Sequence, residues 1–380
     1  MGRFPTEKAY GVTTMGTIKS LVRQGHEVTI FALRSQSAQL QPLDDLFHLI
    51  SYEENILISK LKNIAFKSSS ILGKISWFFF WRLLVVKNMR KISNYQTDIF
   101  WIRDSRALLL AQKNTKLVFE IHSIIEKRWI RRLEKRFSHT KVVLGPISEI
   151  ILTQLKETGT TIPIVKAPMG IDLENLESRI KVRSFVERLE GLIQINFRGL
   201  KIGYVGKFWP NGYSKGIEDL FALASLNSRE DYGYLVSVMG GLKDEVISAR
   251  TKLKEYNLLV SDIEISGHVD HSIALTKMRS LDVIILPRPA SENYVGFPLK
   301  AIESISTGRV VVAARCKVYE DIFQSEFSPF WYKAGDVESL NKAIRSALAD
   351  NQLETRILNG ITFARQFTWD RRTSKLLELL

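Results

Sequence analysis

Two lysines and one glutamate carry the clearest chemistry in this 380-residue chain. Lys207 and Lys215 flank a loop containing Asn211-Gly212, within KIGYVGKFWPNGYSKGIEDL. Two ammonium groups on one loop above a sheet can clamp a diphosphate by charge. Further along, Glu303 lies in FPLKAIESISTG, where a carboxylate could accept hydrogen bonds from both hydroxyls of a ribose. A third candidate is His122, at the end of the apolar run Leu117 to Ile121. Glu120 shares its sheet face by the period of two, and either orients the site or pairs with a Lys or Arg.

The elements that must position these groups can be read around them. Ile202 to Val205 is a strand, Gly206 a turn, and Gly216 opens the next helix. Val283 to Leu286 is a buried strand closed by Pro287. Gly296 falls in a polar loop where the backbone needs freedom or close approach. Pro298 is a natural first helical residue; Leu299, Ile302 and Ile305 form an apolar stripe, and Gly308 ends the helix. Val310 to Val312 is the next strand. Strand, loop, helix and strand aim the backbone of Gly296, Phe297, Pro298 and Leu299 out of the carboxyl end of a parallel sheet. A helix N-terminus placed there attracts an anion. Any α/β crossover shares that geometry; Glu303 within the helix and the lysine loop before it make this one more specific.

The same alternation fills the chain. In the first half, Thr13 to Gln24 reads as a helix, Glu27 to Leu33, Asp98 to Ile102, Leu117 to Ile121 and Lys141 to Leu144 as strands, Arg106 to Gln112 as a helix, and Ser148 as the cap of a helix over Glu149 to Thr158. The second half repeats it from Lys201 to Leu348. Strands alternating with helices predict doubly wound parallel sheets, and 380 residues fit two domains with a hinge near Pro168 to Val182.

These segments resemble the GT-B glycosyltransferases of family 4, the retaining, nucleotide-sugar-dependent group of bacterial polysaccharide assembly. The C-terminal similarity runs through GYVGKFWPNGYSKG, SGHVDHSIALTKMRSLDVIILP and GFPLKAIESISTGRVVVAA. The N-terminal similarity runs through FPTEKAYGVTTMGTIKSLVRQGHEVTI, VFEIHS, PISEII and VKAPMGIDLE, and the end, FARQFTWDRRTSKLLELL, is similar to the family's last helix. The family's Glu-x7-Glu pair keeps its second member as Glu303, with Val295 at the partner position and Glu292 nearby.

The resemblance implies a GT-B architecture, two Rossmann-like domains facing across a cleft. Residues 1–175 would be the acceptor side, residues 176–361 the nucleotide-sugar domain, and residues 362–380 a helix crossing back to the first. It implies that His122 meets the transferred sugar, and that Gly11 belongs to a glycine loop near the donor phosphates or the acceptor. Lys207, Lys215 and the backbone from Gly296 to Leu299 would hold the diphosphate, and Glu303 the ribose. The nucleoside-diphosphate sugar is then a substrate; no cofactor and no metal is expected, and no Asp-x-Asp pair is visible. A Rossmann-like half also begins with a strand feeding its glycine loop. Only Met1 to Phe4 precede that loop here, so a short or truncated first strand is expected, with the central sheet position held by a residue or two near Gly2 to Phe4.

Composition narrows the setting. Hydrophobic residues at 45% and charged residues at 25% are those of a globular protein. One cysteine, Cys316, excludes a disulfide framework and reads as a core thiol. The six histidines show no metal-binding spacing, and Met1 leads into Arg3 and Pro5 with no apolar stretch, which reads as cytoplasmic. Charge is uneven: residues 1–170 hold 26 Lys and Arg against 13 Asp and Glu, and the remainder 28 against 27. The excess suggests that the first half faces something anionic. Residues 56–91 hold eight Lys or Arg, no acid, and the cluster Trp77 to Trp81. That mixture suits a helix lying in lipid headgroups, or a pair of core-packed helices with solvated lysines. Arg128, Arg131, Arg132, Lys135 and Arg136 form a second basic cluster, for the same surface or for solvent. No nucleic-acid motif is present. The expectation is a cytoplasmic enzyme, peripheral at the inner face of the membrane, acting on a lipid-linked or saccharide acceptor. A nucleotide-sugar epimerase of the same fold, or a non-catalytic membrane-binding relative, would share many of these features.

Overall fold

The computed structural model describes residues 3–4, 9–34, 48–51, 97–103, 108, 111, 115–138, 141–209, 213–289, 296–323 and 327–380. The basic aromatic stretch 56–91, Asn211-Gly212, Glu292, Val295 and most of the helix expected over Arg106 to Gln112 lie outside them. The chain forms two compact units, residues 1–168 with 369–380, and residues 169–368.

In the first unit, β1 (Arg3–Phe4), α1 (Ala9–Arg23), β2 (Thr29–Arg34) and β3 (His48–Ser51) come first. β4 (Ile99–Ile102), β5 (Lys116–Ile121), α2 (Lys127–Arg136), β6 (Val142–Pro146) and α3 (Glu149–Glu157) follow. Among the described residues the strands pair in the orders β1-β2-β3 and β4-β5-β6, all parallel. Leu117, Val118, Phe119 and Ile121 are all buried, the near-continuous apolar run of a parallel strand covered on both faces. The strand ahead of α1 is two residues long, Arg3 opposite Leu33 and Phe4 opposite Arg34, within the stretch where a stub was expected. Gly11, expected in a loop, instead lies in the first turn of α1. α2 shows why its charges cluster: Ile130 and Leu133 are buried, while Lys127, Arg128, Arg131, Arg132 and Lys135 form the solvent face.

The second unit contains α4 (Arg179–Gln194), β7 (Lys201–Val205), α5 (Glu218–Glu230), β8 (Leu235–Gly241), α6 (Lys243–Lys252) and β9 (Glu264–Gly267). It continues with α7 (His271–Ser280), β10 (Val283–Leu286), α8 (Leu299–Ser306), β11 (Val310–Ala314) and α9 (Lys317–Glu320). It closes with β12 (Phe330–Tyr332), α10 (Val337–Leu348) and α11 (Leu353–Ala364). Its parallel sheet has the order β12-β11-β10-β7-β8-β9. The chain winds outward from β7 to β9, then returns to β10 beside β7 and winds the other way. The order therefore reverses between β7 and β10, where Val283 pairs with Ile202. Phe208, Phe221, Val312 and Ile344 in its core are fully buried, each contributing about 1.5–3 kcal/mol relative to exposure. Cys316 is half-buried at the head of α9 rather than within the core.

The closing helix α12 (Trp369–Leu377) belongs to the first unit. It lies so close to α1 that a Cβ on Gly16 would overlap the Trp369 indole. Ser20 and Thr373 hydroxyls meet at 2.6 Å, and Arg23 pairs with Asp370 at 2.8 Å. Leu376 and Leu380 fill a small core with Val118, Val143 and Ala167.

Candidate functional site

In open α/β sheets ligands bind outside the carboxyl ends of the strands, where the strand order reverses. In the second unit that place lies between the segments leaving β7 and β10, and both carry candidate residues. The β7 segment holds Lys207 and Lys215, each half-buried. Its base is fixed: Tyr204 Oη donates to Lys207 O at 3.0 Å, and Lys215 N–H donates to Phe208 O at 3.0 Å. Gly216 has φ +80°, and a Cβ there would stand 2.8 Å from Arg288 N, just after β10. Only glycine permits both that conformation and that approach, so Gly216 packs the lysine loop against the β10 exit. Glu218 braces the loop from below, accepting from Ser214 Oγ at 2.6 Å and Trp209 Nε1 at 3.1 Å. Burial raises its pKa, but those hydrogen bonds and Lys252 outweigh burial and hold it below the usual carboxylate range.

The β10 segment leads into α8. Phe297 and Pro298 are buried, and Phe297 stacks on Phe367 at 5.8 Å, which fixes the helix start. Leu299 N–H turns back to Phe297 O at 3.0 Å and Pro298 has no N–H, so Gly296, Phe297 and Lys300 carry the amides not spent in that turn. Glu303, one turn into α8, has a side chain only 4% exposed. His271 Nε2 lies 2.6 Å from Oε1, and Lys300 Nζ 3.2 Å from Oε2. Burial pushes the carboxyl pKa up; the Lys300 charge and the His271 hydrogen bond more than offset this and bring it to about 2. Oε2 is engaged by Lys300 alone, so by lone-pair count it retains acceptor capacity. Both partners are about one-third exposed, which places the carboxylate just below the surface.

In the first unit His122 follows β5 with its ring partly exposed, and its Nε2 lies 3.0 Å from Glu120 Oε2. Glu120 is fully buried. It accepts from Trp101 Nε1 and Arg372 Nη1 at 2.7 Å each on Oε1, and from Arg103 Nε at 2.5 Å on Oε2. Burial alone would raise its pKa, but Arg103, Arg372 and the His122 hydrogen bond hold it well below the usual carboxylate range. Glu120 thus pairs with two arginines, one of the two alternatives read from the sequence, and also contacts His122.

The residues missed in the sequence are partners: His271 for Glu303, Arg103 and Arg372 for Glu120, and Arg288 behind the lysine loop. Each comes from another element, and none has a local signal beyond its position at a strand end or on a helix. Among the described residues no three His, Cys, Asp or Glu side chains converge as metal ligands.

Two Rossmann-like units, the second with the candidate lysines and glutamate at its switch point, have the GT-B fold. Residues 199–350, which include the sheet bearing the lysine loop and Glu303, match the family described as Glycosyl transferases group 1. The fold is shared across nearly the whole chain with Anabaena HepE in complex with UDP and glucose (TM-score 0.64, 16% identity, 100% of this chain and 98% of that one). It is shared with sucrose-phosphate synthase from Thermosynechococcus elongatus (TM-score 0.68, 16% identity, 98% and 92%). A glycosyltransferase from Rickettsia africae is similar as well (TM-score 0.65, 16% identity, 99% and 95%). No curated protein matches the sequence.

Proposed function

We propose that the protein transfers a sugar from a nucleoside-diphosphate sugar to a saccharide acceptor, one carried on a lipid in cell-surface polysaccharide synthesis, with retention at the anomeric carbon as in family 4. The observation that carries this reading is the packing of the Lys207–Lys215 loop against the β10 exit that leads to α8 and Glu303, at the switch point of a domain that matches the group 1 glycosyltransferases. The lysines and the amides near Gly296 to Leu299 hold the diphosphate, and the spare acceptor capacity of Glu303 takes the ribose hydroxyls. As the glycosidic bond breaks, negative charge gathers on the departing diphosphate. Fixed cations there stabilise the transition state more than the ground state, and this needs no metal. UDP, bound in HepE, is the first nucleotide to try. His122, on the first unit, meets the transferred sugar, with Gly11 near the acceptor or the phosphates.

The acceptor side is read from charge. The basic face of α2 and the basic stretch 56–91 suit an anionic membrane surface, which supports a peripheral site at the inner face of the membrane. Among the described residues no helix is long and apolar enough to cross a membrane.

The test is a panel of UDP-, GDP- and ADP-sugars, with release of nucleoside diphosphate followed with and without saccharide acceptors. One donor should be turned over, and faster with acceptor. Interconversion of the donor's sugar without acceptor would instead favour the epimerase, and no turnover of any donor would contradict the transferase. Lys215→Ala should cost roughly 2–3 kcal/mol in turnover of the accepted donor, as for a lost charged contact to the leaving group.

A further inference from the structure

Glu120 occupies the centre of a buried charge cluster that the sugar-transfer reading leaves without a role. Each of its oxygens receives two donors: Trp101 Nε1 and Arg372 Nη1 on Oε1, Arg103 Nε and His122 Nε2 on Oε2. So loaded, and with no exposed surface, the carboxylate has no room for a substrate group of its own. The arginines are tied in turn. Arg103 Nη1 donates to Thr14 Oγ1 at 2.6 Å on α1, and Arg372 Nε donates to Ala167 O at 3.2 Å. Arg372 is itself buried, its side chain 2% exposed. A buried ion-pair cluster of this kind is often less stabilising than apolar packing of the same volume, so bulk stability is a poor reason for its presence. Its outlet is specific: His122, with a side chain 34% exposed, is the most accessible of the three groups that pair with the carboxylate.

We infer that Glu120 is a positioning residue which, held ionised by Arg103 and by Arg372 of the closing helix, fixes His122 in one tautomer and presents its Nδ1 to a hydroxyl of the transferred sugar. The inference rests on the proposed placement of His122 against that sugar. An ionised carboxylate only accepts hydrogen bonds, so the hydrogen shared with His122 sits on Nε2. In the neutral ring Nδ1 is then the acceptor, suited to a sugar O–H rather than to an anion. Arg103 and Arg372 keep Glu120 charged, and they lock the carboxylate plane, and with it the ring, against α1 and α12. The closing helix is by this account part of the His122 site, although it lies at the other end of the chain.

The experiment is long-range 1H–15N correlation spectroscopy on the full chain labelled at histidine nitrogens, with His122→Ala used to assign the ring. At a pH where the ring is neutral, His122 should show hydrogen on Nε2 and a bare Nδ1. Glu120→Gln should abolish that single-tautomer signature. It should also lower kcat for UDP-, GDP- or ADP-glucose, whichever is turned over, by roughly 10- to 100-fold, as when the outer hydrogen-bond partner of a metal-bound histidine is lost. The KM for donor should change little. Arg372→Lys should retain more of the rate than Arg372→Met, because it keeps the charge. The wild-type spectrum decides the matter even if every Glu120 and Arg372 variant unfolds: hydrogen on Nδ1 overturns the inference. So does a Glu120→Gln protein with unchanged tautomer and rate while His122→Ala is inactive. If His122→Ala keeps the full rate, the placement of His122 at the sugar fails, and the assigned role of Glu120 falls with it.

Discussion

Each Rossmann-like unit buries one glutamate near the carboxyl end of its sheet, and the two are buried differently. Glu120 is enclosed by two arginines, a tryptophan and a histidine, and both of its oxygens are saturated. Glu303 has two partners, His271 and Lys300, each partly open to solvent and each on one oxygen. Both carboxylates are held ionised against the cost of burial, yet only one has capacity left for a ligand. A saturated buried carboxylate organises its neighbours; an unsaturated one beneath the surface can receive a guest. On the proposed reading, that difference separates positioning from binding.

The comparison breaks most visibly at Arg372. Arg372→Met should leave Glu120 short of a partner and cost roughly 3–5 kcal/mol in stability, measured by urea unfolding, as for one side removed from a buried pair. Lys300→Ala, beside Glu303 and partly solvated, should cost much less. Equal losses would mean that the two carboxylates are not held differently. The helix contact that delivers Arg372 is the next place to press. Gly16→Val would drive a side chain into the Trp369 indole, with an expected cost of about 1–3 kcal/mol and a lower thermal midpoint.

Much of the binding side of this comparison was legible in the sequence. The run Val283 to Leu286, the break at Pro298 and the stripe Leu299, Ile302 and Ile305 give strand, loop and helix within a few residues of their observed bounds. Lys207, Lys215 and Gly216 were legible because a loop announces itself by local composition. The partners were not. Arg372 meets Glu120 from the far end of the chain, and His271 meets Glu303 from a helix on the other side of β10; no periodicity carries such pairings. Gly11 shows the opposite limit: the family resemblance implied a loop there, but the helix extends N-terminally through it.

The smallest expected effect concerns acid. Glu303 has a folded pKa of about 2, below its usual value, so the stability it contributes is full above the unfolded carboxylate range and fades as pH falls towards 2. His271→Ala removes one of the groups that lower this pKa. The folded value should rise, and the protein should lose about 1 kcal/mol, discounted for the exposure of His271. Acid unfolding monitored by circular dichroism should then begin at a higher pH than in the wild type. The same substitution should leave the acid response of Glu120 unchanged.

The central claim is that the switch point of the second unit binds a nucleoside diphosphate through Lys215 and Glu303. Isothermal titration of UDP, GDP and ADP into the wild type, Lys215→Ala and Glu303→Gln tests it directly. The account predicts that one nucleotide binds the wild type, that each substitution weakens it by roughly 10- to 100-fold, and that added salt weakens the wild type more than Lys215→Ala. A nucleotide that binds all three proteins with the same affinity, or no binding by the folded wild type, would contradict it.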